Sequence, residues 1–138
     1  MSRPRPEPVQ VVKQRRDAAL KALVDGVPYI QFLGIAFDRR GDELTGVLTY
    51  ADRLIGNPLL PALHGGVTAA FLEVTAIIGL SWSFIWEDME AGRLDPATLD
   101  PLHLPRLPKT IDFTDGYVRT GLPGDVDSRE RVNRIGRR

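Results

Sequence analysis

The segment Val67–Trp86 restricts what this chain can fold into more than any other. Its 20 side chains are apolar, small or hydroxyl-bearing, with the single exception of the Glu73 carboxylate. Twenty such residues are about the length that crosses a bilayer. A charge one third of the way along such a span is costly, however. The remainder of the chain also reads as amphipathic strands whose apolar faces need a partner. A core helix from about Gly65 to Trp86, apolar all round and sheathed by a curved sheet, satisfies both observations. The sequence therefore predicts a soluble α+β domain with no membrane span.

The flanking segments fit that plan. "VVKQRRDAALKALVDGVPYIQFL" has a helical stripe in Ala18, Leu20, Leu23 and Val24, ended by Gly26-Val27-Pro28. "LGIAFDRRGDELTGVLTY" predicts a hairpin, with one strand over Leu33–Phe37, a turn at Arg39–Asp42 and a second strand over Glu43–Tyr50. "ADRLIGNPLLPAL" reads as loop. "KTIDFTDGYVRT" predicts a strand bent at Asp115-Gly116, and the alternation from Val126 to Arg134 predicts another. Residues 1–16 read as a loose, basic, Pro-rich terminus, and residues 17–138 as one domain. An acidic, proline-containing excursion runs from 87 to 108.

Charge and composition narrow the function. Five of the 18 basic residues lie in Met1–Arg16 and five in Arg129–Arg138, leaving eight in between against 16 of the 18 acidic ones. Such ends either meet phosphates or are solvated; with zero net charge there is no global case for nucleic acid. No cysteine is present, which excludes thiolate nucleophiles and fits a reducing, cytoplasmic setting. With only His64 and His103, a zinc site would need carboxylates to complete it. No metal or cofactor is implied.

Glu73 is the strongest candidate for chemistry. A buried carboxylate is either held in a structural ion pair or hydrogen bond, or left poised as a general base or nucleophile. No Lys or Arg lies between Arg53 and Arg93 to pair with it. His64-Gly65-Gly66 precedes the helix. The two glycines either make a turn at positive φ or open the helix so that a ligand oxygen can approach its unpaired N–H groups. Gly66 and Glu73 share a face but stand roughly 10 Å apart at ~1.5 Å per residue. An oxyanion donor and a base acting on one carbonyl must both lie within ~3 Å of its reacting atoms. One helix cannot supply both. Two antiparallel copies across a two-fold axis can, so a working site requires a homodimer.

"HGGVTAAFLE", with the preceding "GNP" loop and the "FLGI…GDELTGVLTY" hairpin, resembles the hotdog-fold acyl-CoA thioesterases of the phenylacetate-pathway type, over about Val24 to Arg138. The resemblance implies a long helix wrapped by an antiparallel sheet and active sites at the dimer interface, in dimers or dimers of dimers. It implies Glu73 as base or nucleophile toward the thioester, and a Gly65 or Gly66 amide as oxyanion donor. His64 would either lie near the thioester or cap the helix. Asn57 corresponds to a water-positioning asparagine, although "NPLLPAL" is one residue longer than the common form. Arg119 and Arg137-Arg138 would reach coenzyme A phosphates or remain solvated. Phe71, with Val67, Ile77, Trp82 and Phe84, would line a pocket for a medium or aromatic acyl group. Two features depart from the pattern: the 87–108 excursion is long, and the chain stops where relatives have two more strands, so unpaired sheet edges are expected. The function expected is acyl-CoA thioester hydrolysis. The alternative is a non-catalytic hotdog protein that binds acyl-CoA or a partner chain, and a dehydratase on the same fold is a third reading.

Overall fold

The computed structural model of the chain describes residues 5–95 and 109–133. Two helices come first, α1 (Val9–Asp25) and α2 (Pro28–Leu33), then the hairpin β1 (Ile35–Arg40) and β2 (Glu43–Leu48). A 3₁₀ turn at Asp52–Leu54 leads into a small hairpin, β3 (Ile55–Asn57) and β4 (Ala62–Leu63). The long helix α3 (Gly65–Glu90) follows, and β5 (Val126–Ser128) closes the described chain.

The main sheet has the order β1-β2-β5 and is antiparallel throughout. The β1–β2 register places Arg40 opposite Glu43, so only Gly41 and Asp42 make the turn, and Gly41 takes the positive φ (62°) that a two-residue loop of this hand demands. Along β2 the alternation predicted from sequence holds: Leu44, Gly46 and Leu48 are buried, while their neighbours face outward. Burying a leucine side chain contributes about 1.5–3 kcal/mol. The sheet therefore gains most of its apolar burial through this one face.

Helix α3 lies on that face, and Gly46 makes the close approach possible. A Cβ there would stand 2.6 Å from Thr75 Oγ1 and 3.2 Å from Phe71 Cε2. The buried residues of α3 include Phe71, Thr75, Ile78, Trp82, Ile85 and Met89, a single stripe at helical spacing. The helix is thus covered on one side, where the sequence predicts an all-round sheath. The reason is width. Twenty-six residues make a rod about 39 Å long at ~1.5 Å per residue, and three strands spaced ~4.8 Å apart span too little to wrap it. Leu72 (37 % exposed) and Phe84 (36 % exposed) lie on the uncovered side. By length and composition α3 could cross a membrane, but here its stripe joins one core with Leu20 and Leu23 of α1, Ile30 and Leu33 of α2, and Ile35, Leu44 and Leu48 of the sheet.

Several boundaries differ from expectation. Helix α1 starts at Val9, inside the terminus read as loose. Ion pairs hold that first half: Arg15 with Glu7 at 2.8 Å, and Arg16 with Asp42 at 3.0 Å and Glu90 at 3.3 Å. Arg16 also stacks 4.9 Å over the Trp86 ring. The buried stripe of α1 uses Ala19, whereas Ala18 is exposed. Helix α3 runs one turn further, to Glu90, and so takes the start of the 87–108 excursion; residues 96–108, with His103, lie outside the described residues.

The segment predicted as a strand around Ile111 and Phe113 forms none. Ile111 is 99 % and Val118 is 91 % exposed. This stretch pairs with neither outer edge of the main sheet, at β1 or at β5. The segment instead bonds to β4 and α3, through Leu63 N–H to Gly121 O at 2.8 Å and the Tyr117 hydroxyl to Gly65 O at 2.7 Å. The last predicted strand is paired only over Val126–Ser128. Beyond it, the Glu130 side chain lies directly against Gly79 of α3, drawing the chain off the sheet and over the helix. Among the described residues, neither β1 nor β5 has a second sheet neighbour.

Candidate active site

The start of α3 is built by the small hairpin. Gly56 of β3 lies against His64, so close that a Cβ on the glycine would stand 2.6 Å from His64 Cα and 2.8 Å from its Cδ2. His64 N–H donates to Leu54 O at 2.8 Å. The residue before the helix is thus held by two backbone contacts from the segment Leu54–Gly56. His64 has extended backbone (φ −64°, ψ 130°) and is the N-cap, its Nδ1 accepting from Gly66 N–H at 2.8 Å. An imidazole nitrogen that accepts carries no proton, so the ring hydrogen belongs on Nε2. Of the two roles read for His64 from sequence, capping is the one made within the chain. The exposed ring leaves Nε2 without another hydrogen bond among the described residues.

The N–H groups of the first turn can be accounted for in full. Gly66 N–H goes to the histidine ring, while Val67 N–H (3.0 Å) and Thr68 N–H (3.2 Å) both go to His64 O. Gly65 N–H has no partner among the described residues. Of the two amides expected as oxyanion donors, this chain therefore leaves Gly65 available and uses Gly66 as part of the cap. Neither glycine has positive φ, so their role is to open the helix and not to make a left-handed turn.

Glu73 sits two turns along the same helix. It is half-buried in the protomer, less so than its sequence surroundings suggest, because it lies off the stripe that packs on the sheet. It makes no hydrogen bond or ion pair with any described residue. Next to it in sequence and one turn on, Leu72 and Ala76 floor a groove of about 460 Å³ with Thr75 and Leu80, roofed by residues 128–133. A second cavity of about 540 Å³ lies between α1 and β1 and includes no residue of α3. Among the described residues no cluster of three His, Asp or Glu side chains could hold a metal ion.

The other candidates fall in different places. Phe71 is 1 % exposed and belongs to the core against Gly46, so it is not free to line a substrate pocket; the same holds for Trp82 at 2 %. Both lie on the α3 stripe that the sheet covers, which apolar sequence alone does not distinguish from a pocket wall. Asn57 is exposed and its Oδ1 accepts from Leu59 N–H at 3.0 Å, closing its own turn. Arg119 is exposed in the segment between α3 and β5. Arg137 and Arg138 lie outside the described residues. Tyr117, read from sequence as a strand residue, proves to stand at the start of α3, its ring 3.5 Å from the Cβ position of Gly65. The signal in sequence was no more than an aromatic beside a glycine, because its contact spans 52 residues.

The arrangement is similar to a known structure. A solved crystal structure described as a protein from the thioesterase superfamily superposes with a TM-score of 0.65 at 18 % identity, covering 91 % of this chain and 80 % of that one. No protein-family model matches the chain, and no curated protein sequence does. The shared architecture, an antiparallel sheet with a long helix laid on it, is the hotdog fold, and the chain is an α+β protein of that fold.

Proposed function

We propose that this protein is an acyl-CoA thioesterase, of the type resembled by its His-Gly-Gly motif, that works as a homodimer or dimer of dimers in the cytoplasm. The observation that carries the reading is one helix with an unpartnered Gly65 N–H at its start and an unpaired Glu73 two turns on, in a hotdog fold. The likeness to a thioesterase-superfamily protein supports the same reaction class.

The thioester oxygen takes the hydrogen bond of Gly65 N–H in one protomer. The carbonyl carbon lies toward Glu73 of the antiparallel partner helix, because the ~12 Å between Gly65 and Glu73 on one helix exceeds the reach of a single carbonyl. Glu73 takes a proton from water as the water oxygen bonds to that carbon. The tetrahedral oxyanion forms at Gly65 N–H, the C–S bond breaks, and the thiolate recovers the proton as free coenzyme A. Direct attack by the carboxylate, followed by hydrolysis of the anhydride, gives the same products. The groove floored by Leu72, Ala76 and Leu80 favours a medium-chain or aromatic acyl group, and Arg119 lies exposed for a coenzyme A phosphate.

The test is release of coenzyme A from short, medium and aryl-acetyl thioesters, followed with a thiol dye. The protein has no cysteine and so contributes no background. Turnover in the wild type and its loss in Glu73→Gln supports the hydrolase. Binding without turnover, from a folded dimer, replaces it with the non-catalytic acyl-CoA-binding role.

A further inference from the structure

We infer that Tyr117 is a positioning residue for the oxyanion donor, clamping the Gly65–Gly66 peptide from the side opposite His64. The inference rests on the thioesterase reading for its catalytic consequence, but not for the clamp itself.

Two hydrogen bonds converge on a single peptide unit. Its N–H, that of Gly66, donates to His64 Nδ1 at 2.8 Å, and its carbonyl, that of Gly65, accepts from the Tyr117 hydroxyl at 2.7 Å. The next unit back is held as well: His64 O accepts from Val67 and Thr68 N–H, which turns the Gly65 N–H away from the helix and out of its start. That N–H is the one left free to meet a ligand.

Clamping matters here because of the residues involved. Two successive glycines have no Cβ to restrict φ and ψ, so the start of this helix frays more readily than that of an ordinary one. A donor that is to stabilise an oxyanion must be fixed before the charge develops, since reorienting it during the reaction costs part of its benefit. Side chains from outside the helix supply the restraint that the glycines lack. His64 does so from the N-cap and Tyr117 from a distant segment, which is itself tied down by Leu63 N–H to Gly121 O at 2.8 Å.

Tyr117 is not built as a buried core residue. It is 60 % exposed, and only its hydroxyl edge touches Gly65. Removing the hydroxyl alone therefore leaves the packing of the fold in place. Asp115 lies beside that hydroxyl with its Oδ2 buried and without a hydrogen-bond partner, a second acceptor held close to the clamp.

The experiment is Tyr117→Phe, read in two independent ways in the full chain. Amide hydrogen exchange of Gly66 reports the clamp, and kcat and KM for coenzyme A release report its use. The expected result is Gly66 exchange faster by about tenfold, the scale of one hydrogen bond's net contribution. With it, kcat falls by a similar factor while KM stays within about twofold, since substrate binding elsewhere is untouched. Melting temperature falls by no more than the few degrees that one hydrogen bond accounts for. Gly66 exchange equal to wild type overturns the clamp whatever the kinetics show. Faster exchange with unchanged kcat in an active enzyme overturns the positioning role. If the wild type shows no turnover at all, the thioesterase reading fails and takes the catalytic role with it, and the exchange ratio alone decides the clamp.

Discussion

Gly56 and His64 are in backbone contact: a methyl group on the glycine would come within 2.6 Å of the His64 Cα. The distance ties the short β3–β4 hairpin to the start of α3. Because the clashing atom belongs to the main chain, no side-chain rotation relieves it. Gly56→Ala is expected to push the hairpin away from the helix and to lengthen the His64 N–H to Leu54 O bond. Overpacking of this kind costs about 1–3 kcal/mol. Turnover should fall more than stability, because the displaced residue is the helix cap. A Gly56→Ala protein with wild-type kcat would show that hairpin and cap are not coupled.

Gly46 offers a second glycine test with a different readout. Its missing Cβ makes room for Thr75 and Phe71, which are 2 % and 1 % exposed and have nowhere to move. Gly46→Ala should destabilise the fold by about 1–3 kcal/mol. For a chain of this size that lowers the melting temperature by several degrees, at roughly 2–4 °C per kcal/mol. An unchanged melting curve would mean that α3 lies further from β2 than described.

Arg39 joins α1 to the main hairpin. Its side chain, 6 % exposed, donates to Asp17 Oδ1 at 2.7 Å and Gly41 O at 2.6 Å. Arg39→Met keeps the apolar stem but removes these bonds. A loss of about 2 kcal/mol is expected, as for hydrogen bonds to a charged group, with coenzyme A release unaffected at temperatures where the protein remains folded. Chemical denaturation of the two proteins checks this, and equal midpoints would refute it.

Tyr117 gives a pH prediction with a defined sign. The Asp115 carboxylate, an acceptor close to the hydroxyl that favours the protonated phenol, then burial, then the negative charge of that carboxylate push the Tyr117 phenol above the usual value of 10. The folded protein therefore holds the phenolic proton to higher pH than the unfolded chain does. The corresponding stability is fully present below about pH 10 and is lost as pH rises through the folded pKa. Through neutral pH the clamp on Gly65 keeps its proton. Ultraviolet titration should place Tyr117 above an ordinary tyrosine, and Asp115→Asn should bring it down. No difference between the two titrations would remove Asp115 as the cause.

Much of this was legible locally. The hairpin of β1 and β2, the inward alternation of Leu44, Gly46 and Leu48, the start of α3 at Gly65 and the isolated Glu73 each depend on residues within one or two turns or strand repeats of each other. Periodicity and turn chemistry report such short-range relations directly. The distance between Gly66 and Glu73 is equally local, fixed by helical rise.

What the sequence determined by itself, then, was the main hairpin, the helix that carries the candidate chemistry and the spacing of groups along it. Tertiary structure alone decided which side of α3 is covered. An all-apolar helix shows no stripe to read, and that choice assigned Phe71 and Trp82 to the core while leaving Leu72 at the groove. It also decided that residues 109–120 make no strand, since that segment is tied to Leu63 and Gly65 and not to a sheet edge. Last, it brought Tyr117 across 52 residues to the Gly65 carbonyl. Such a contact leaves no periodic trace in sequence, because the segments that meet there are joined only by the folded chain between them.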